Sequence, residues 1–169
     1  VTCTFTNTQR GNITILKDAQ PNSSQAFEFT TNVNEEPEAF SLVDDGQDSA
    51  LATRQFSNLR PSVYEFSEEA IEGWSLSDIS CSNSNQDDVR TTANSVSVNL
   101  QPGDNIICTF TNTRDTGTIT VTKKLTPATD TGKFNLLING TVYAANIGNG
   151  GATDAVTVPT GVHTVSESA

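Results

Sequence analysis

Three polar groups fall on apolar strand faces in this 169-residue chain: an amine, a carboxyl and a carboxamide. Lys17 continues the alternation of Ile13 and Ile15, Glu68 that of Tyr64 and Phe66, and Asn112 that of Cys108 and Phe110. Successive side chains on a strand point to opposite faces, so each polar group is predicted to share its neighbours' buried face. Burying such groups is costly. Desolvation lowers the pKa of a lysine and raises that of a glutamate, so the pair moves toward a neutral amine and a protonated acid. The plainer alternative has Lys17 and Glu68 snorkelling or pairing at a sheet edge while Asn112 caps a turn.

The elements that position these groups are strands. Apolar residues alternate at Ile13 and Ile15, Phe27 and Phe29, Phe40 and Leu42, Tyr64 and Phe66, Val96 to Leu100, and Ile106 to Phe110. Turn chemistry separates the runs, as in DDGQD at 44–48, RPS at 60–62 and QPGD at 101–104. No sustained 3.6-residue stripe occurs, so no substantial helix is expected. About seven strands in roughly 105 residues is the size of one β-sandwich, with Trp74 and the phenylalanines supplying much of its core.

The phrase CTFTNT occurs at Cys3–Thr8 and again at Cys108–Thr113. GNITILKDAQP follows the first copy from Gly11, and GTITVTKKLTP follows the second from Gly117. LRPSVYEFSEEA at 59–70 has a weaker echo in VPTGVHTVSESA at 158–169. A period of this size is that of a whole domain. Residues 1–8 are expected to be the closing strand of a preceding module, 9–113 a complete module, and 114–169 the first half of the next. The partial modules are expected to be completed by neighbouring sequence or neighbouring subunits.

The net charge of −11 opposes nucleic acid or an anionic membrane as partner. No apolar run approaches a transmembrane span, so no membrane insertion is expected in this segment. Thr, Ser and Asn are abundant, as suits strands with one wet face.

An NITILKD first strand, a central YEFSEEAIEGW and a closing CTFTNT together resemble the prealbumin-like, Cna B-type β-sandwich repeats of bacterial cell-surface proteins and pilins. The resemblance covers the complete module and both partial copies. It implies an all-β fold of tandem Ig-like antiparallel sandwiches in a secreted, surface-linked or filament-forming protein. It also implies an intramodule Lys–Asn isopeptide bond between Lys17 and Asn112, promoted by Glu68. A partial second set follows from the repeat: Lys123 (or Lys124) with Glu167, and Asn7 of a neighbour as acceptor.

Cys81 and Cys108 both lie in the complete module and are expected to form a disulfide, while Cys3 is left unpaired or intermodular. Closing a loop of roughly 27 residues stabilises by about 3–4 kcal/mol on the loop-entropy model. No metal site or cofactor is expected. Asp44, Asp45 and Asp48 lack the spacing of an EF-hand loop and are expected to form a solvated hairpin turn. Asn12, Asn22 and Asn139 head glycosylation sequons. His163 aligns with Tyr64 and is expected on a strand.

With no catalytic constellation, turnover is not expected beyond single-turnover self-modification. The expected role is a structural module of an extracellular stalk or filament whose partners are adjacent copies of itself. The alternative is an adhesin repeat that binds a host protein or glycan through its loops. Its loops are rich in Ser, Asn, Asp and Gly and poor in aromatics, which favours the scaffold.

Overall fold

The structure is a computed structural model in which residues 1–33, 38–82 and 88–169 are described. The chain divides into two compact units, Val1–Arg114 and Asp115–Ala169. Among the described residues there is no α-helix. The described residues form fourteen strands.

The first unit is a sandwich of two sheets. One orders its strands β4 (Thr53–Leu59), β1 (Gly11–Gln20), β9 (Asn105–Arg114), β6 (Trp74–Ser82). The other runs β3 (Glu38–Val43), β2 (Ala26–Thr31), β5 (Ser62–Glu68), β8 (Ser95–Leu100), β7 (Val89–Thr91). The two inner faces meet in one core that includes Ile13, Ile15, Phe27, Phe29, Phe66, Val96, Val98 and Phe110. The rings interlock: Phe29 meets Phe110 edge-on at 5.2 Å, and Phe27 meets Trp74 edge-on at 5.4 Å. Such pairs add to the area they bury.

Strand β1 alternates buried and half-buried positions along its length until Gln20, which is exposed. Lys17 lies on the buried side of that alternation, as do Glu68 at the end of β5 and Asn112 in β9.

Two features depart from the expected pattern. The described residues of the unit form nine strands where about seven were expected, the additions being β4 and β7. Strand β4 buries Phe56 and Leu59, three residues apart, because its pairing with β1 shifts register between Gly11 and Ile13 and Asn58 takes a left-handed φ of 59°. Strand β7 is only three residues long. The second departure is a parallel pair in an otherwise antiparallel fold: β1 and β9 run side by side, Asn12 opposite Asn105 through Gln20 opposite Thr113. First and last strands of the unit are separated by a long connection, and only such a connection lets neighbours run the same way.

The second unit contains two small sheets, β10 (Thr116–Ile119) with β13 (Val156–Pro159), and β12 (Thr141–Ile147), β11 (Phe134–Ile138), β14 (Val165–Ser168) in that order. Strands β11 and β12 turn at Asn139 and Gly140, with φ of 51° and 78°. Both residues of this tight hairpin need positive φ, which Asn-Gly supplies. Leu125, Leu136, Ile138 and Val158 are buried here.

The turn at 44–48 is not the expected hairpin, because β3 and β4 belong to different sheets and the segment crosses between them. Its carboxylates serve the backbone: Asp44 accepts from the Ala19 amide at 2.9 Å, and Asp45 from Gln47 and Asp48 at 2.8 and 3.1 Å. These bonds hold the Asp45 carboxyl below its usual pKa. His163 lies just before β14 rather than within it. Its Nε2 donates to the Pro159 carbonyl at 2.7 Å and Asn139 Nδ2 donates to its Nδ1 at 2.9 Å. Tyr64 in the first unit likewise donates to the carbonyl four residues back, that of Arg60, at 2.8 Å.

Candidate functional site: a buried amine, carboxyl and carboxamide

Lys17, Glu68 and Asn112 come from three strands and meet inside the first unit, each at most 3% exposed. The register of the parallel pair brings two of them together. Lys17 lies opposite Phe110 and Asn112 opposite Ala19, so the two side chains share a face two residues apart on adjacent strands. The Lys17 Nζ donates to Asn112 Oδ1 at 2.6 Å, and to the carbonyls of Phe110 at 2.8 Å and Asp18 at 3.2 Å. Glu68 arrives from the facing sheet. Its Oε1 accepts from Asn112 Nδ2 at 2.5 Å, and its Oε2 faces Lys17 Nζ at 3.7 Å. The carboxamide is thus held by its oxygen on the amine and by its nitrogen on the carboxyl.

Burial sets the electrostatics. Desolvation pulls the Lys17 pKa down to about 8 against the opposing pull of Glu68, Asp18 and Asp44. Desolvation likewise raises Glu68, opposed by Lys17 and by the hydrogen bond from Asn112. A lysine with a pKa near 8 is about one-tenth neutral at pH 7, a few hundred times more than at its ordinary pKa. The core also supplies Phe27, whose ring centroid lies 4.2 Å from Nζ. Phe27 was visible in the sequence as a core residue; its place beneath the amine depends on sheet packing, which alternation does not encode. A cavity of about 270 Å³, lined in part by Glu68, Trp74, Ala93, Asn94 and Asn112, borders the carboxyl and the carboxamide.

Cys81 and Cys108 are bonded, with Cα atoms 4.1 Å apart, and lie directly opposite each other on β6 and β9. The bridge therefore ties β9 to β6, on the side away from β1. Cys3 is free and exposed.

In the second unit Lys123 and Glu167 are brought together, with Nζ 2.5 Å from Oε2. Lys123 also sits 3.9 Å from the Phe134 ring centroid, while Lys124 is exposed, which decides between the two lysines. Residues 1–8, Asn7 among them, belong to no strand and are exposed.

The sequence profile of the prealbumin-like fold domain matches residues 13–114, from β1 to the end of β9. The chain belongs to this family, and its fold is the prealbumin-like β-sandwich. Among solved structures, the chain is similar to the TIE protein of Bacillus anthracis, at 15% identity and a TM-score of 0.56, over 95% of this chain and 28% of that one. It is also similar, with a TM-score of 0.46 and 12% identity, to a Mobiluncus mulieris adhesin containing intramolecular disulfide, isopeptide and ester bond cross-links. That match spans 63% of this chain and 42% of the adhesin chain. In both cases the chain spans less than half the length of the protein it matches. No curated protein matches its sequence significantly.

Proposed function

We propose that the first unit is a self-locking structural module of a secreted bacterial stalk or filament, closed by an amide bond between Lys17 and Asn112. The observation that carries this reading is the closed triad: amine, carboxamide and carboxyl in mutual contact with no exposed member. The neutral Lys17 amine attacks the Asn112 carboxamide carbon. Glu68 takes a proton from the attacking nitrogen and delivers it to Nδ2, the Cγ–Nδ2 bond breaks, and ammonia leaves. The cavity beside Glu68 and Asn112 gives the ammonia a place to go. Each module reacts once, so this is self-modification and not enzymatic turnover.

The disulfide supports an extracellular setting, since such bonds persist outside the reducing cytosol. It does not make the amide redundant, because it joins β9 to β6 and leaves β1 attached to β9 by hydrogen bonds alone. The partners that fit this role are adjacent copies of the module.

The test is intact mass after reduction and denaturation. The wild-type chain is expected to be lighter than its sequence mass by one ammonia, with a branched peptide joining Lys17 to Asn112. Glu68→Ala is expected to restore the full mass. A wild-type chain at full sequence mass would refute the bond.

A further inference from the structure

One carboxyl oxygen of the triad is left over. Glu68 Oε1 accepts from Asn112 Nδ2 at 2.5 Å, while Oε2 stands 3.7 Å from Lys17 Nζ, beyond hydrogen-bond length. Glu68 is 3% exposed, and its Oε2 finds no hydrogen-bond partner among the described residues. The Trp74 indole Nε1 is in the same condition, buried and without a partner among the described residues. Leaving buried polar atoms unpaired is costly, and native structures rarely do so.

Both atoms belong to residues that line the cavity of about 270 Å³ beside the carboxamide. Its lining combines buried Glu68, Trp74 and Asn112 with exposed Glu69, Ser75 and Asn94, so it connects the triad to solvent. A polar cavity of this size has room for water, which needs only a small fraction of that volume and two to four polar partners. The indole N–H can only donate, and the carboxylate oxygen accepts. A group that bridges them must accept from one and donate to the other, and water does both.

The surrounding contacts fix both residues at the cavity. The Trp74 ring meets Phe27 edge-on at 5.4 Å, and the Arg114 guanidinium carbon lies over it at 5.3 Å. Phe27 in turn lies 4.2 Å from Lys17 Nζ, so a single ring links the indole to the amine. The Glu68 amide donates to the Asn94 carbonyl at 2.9 Å, and the Glu68 carbonyl accepts from Asn94 Nδ2 at 3.4 Å. These bonds fix where Glu68 leaves its strand, but not how its carboxyl turns.

We infer that water bound in this cavity links Trp74 Nε1 to Glu68 Oε2, and that Trp74 thereby acts as a positioning residue for the carboxyl. Oε1 is held on the carboxamide nitrogen and Oε2 is anchored through water. The carboxyl plane is then fixed at both oxygens while it passes a proton from the amine to the leaving nitrogen. The positioning role rests on the amide bond proposed above; the water site does not.

Trp74 is the only tryptophan of the chain, so its indole N–H gives a single nuclear magnetic resonance. In the wild-type chain that resonance is expected to show a rotating-frame Overhauser cross-peak to water, and Glu68→Gln to shift it. Trp74→Phe keeps an aromatic ring and loses the donor. On refolding it is expected to shed its ammonia about tenfold more slowly than wild type, the worth of one hydrogen bond. An indole N–H without contact to water would overturn the water site. Ammonia loss at the wild-type rate in Trp74→Phe would overturn the positioning role. A wild-type chain at full sequence mass would refute the Lys17–Asn112 bond and that role with it, while the indole spectrum still decides the water site.

Discussion

Lys17 and Asn112 stand on neighbouring parallel strands, offset by two residues, with 2.6 Å between amine nitrogen and amide oxygen. The offset follows from register alone. Moving Asn112 one position along β9 would turn its side chain to the opposite face of the sheet.

The cost of losing the bond is measurable. A cross-link between residues separated by 95 positions is worth about 4–5 kcal/mol on the loop-entropy model. Lys17→Met leaves the buried Glu68 and Asn112 without their amine partner, which by itself costs about 3–5 kcal/mol. Urea denaturation of Lys17→Met should therefore show a loss of about 7–10 kcal/mol if the wild type is linked. A loss of only about 3–5 kcal/mol would speak for an unlinked triad.

Bond formation should depend on pH in a defined direction. The reactive form of Lys17 is the neutral amine, and its pKa lies near 8. Each unit of pH below that value reduces the neutral fraction about tenfold. Refolding followed by timed mass measurement at pH 6, 7 and 8 should show formation accelerating with pH toward 8. A rate independent of pH across this range would mean that deprotonation of Lys17 does not limit the reaction.

Reducing the Cys81–Cys108 bridge should cost about 3–4 kcal/mol for its loop of 27 residues. It should leave the ammonia loss intact, because β6 supplies no member of the triad. Denaturation with and without reductant, paired with intact mass, separates the two locks.

Phe110→Ala should destabilise by about 3–5 kcal/mol, since it empties a fully buried site packed against Phe29. Phe110 also supplies a carbonyl to Lys17 and lies two residues before Asn112. Slower bond formation on refolding is therefore expected alongside the thermal destabilisation.

Much of this site was legible from the period of two. Strand β1 buries Ile13, Ile15 and Lys17 on one face, as alternation predicted, and the same holds for Tyr64, Phe66 and Glu68. Alternation assigns a residue to a face but names no neighbour. It could not reveal that β1 and β9 run parallel and adjacent, because that pairing is set by the return of the chain after the whole module. Strand β4 escaped because a register shift breaks its period, and β7 because three residues carry none. The choice between Lys123 and Lys124 needed the structure, in which Lys123 meets Glu167 and Lys124 is exposed.

The parallel neighbours β1 and β9 also fix how the module would behave under tension. Pulling its two ends in opposite directions shears nine register pairs at once rather than unzipping them singly. The 95 positions between Lys17 and Asn112, at roughly 3.4 Å each, hold about 320 Å of contour length. With the amide formed, tension passes across it from one strand to the other and that length stays folded. A fibre of such modules would be nearly inextensible, with no sawtooth of unfolding events on its force–extension trace.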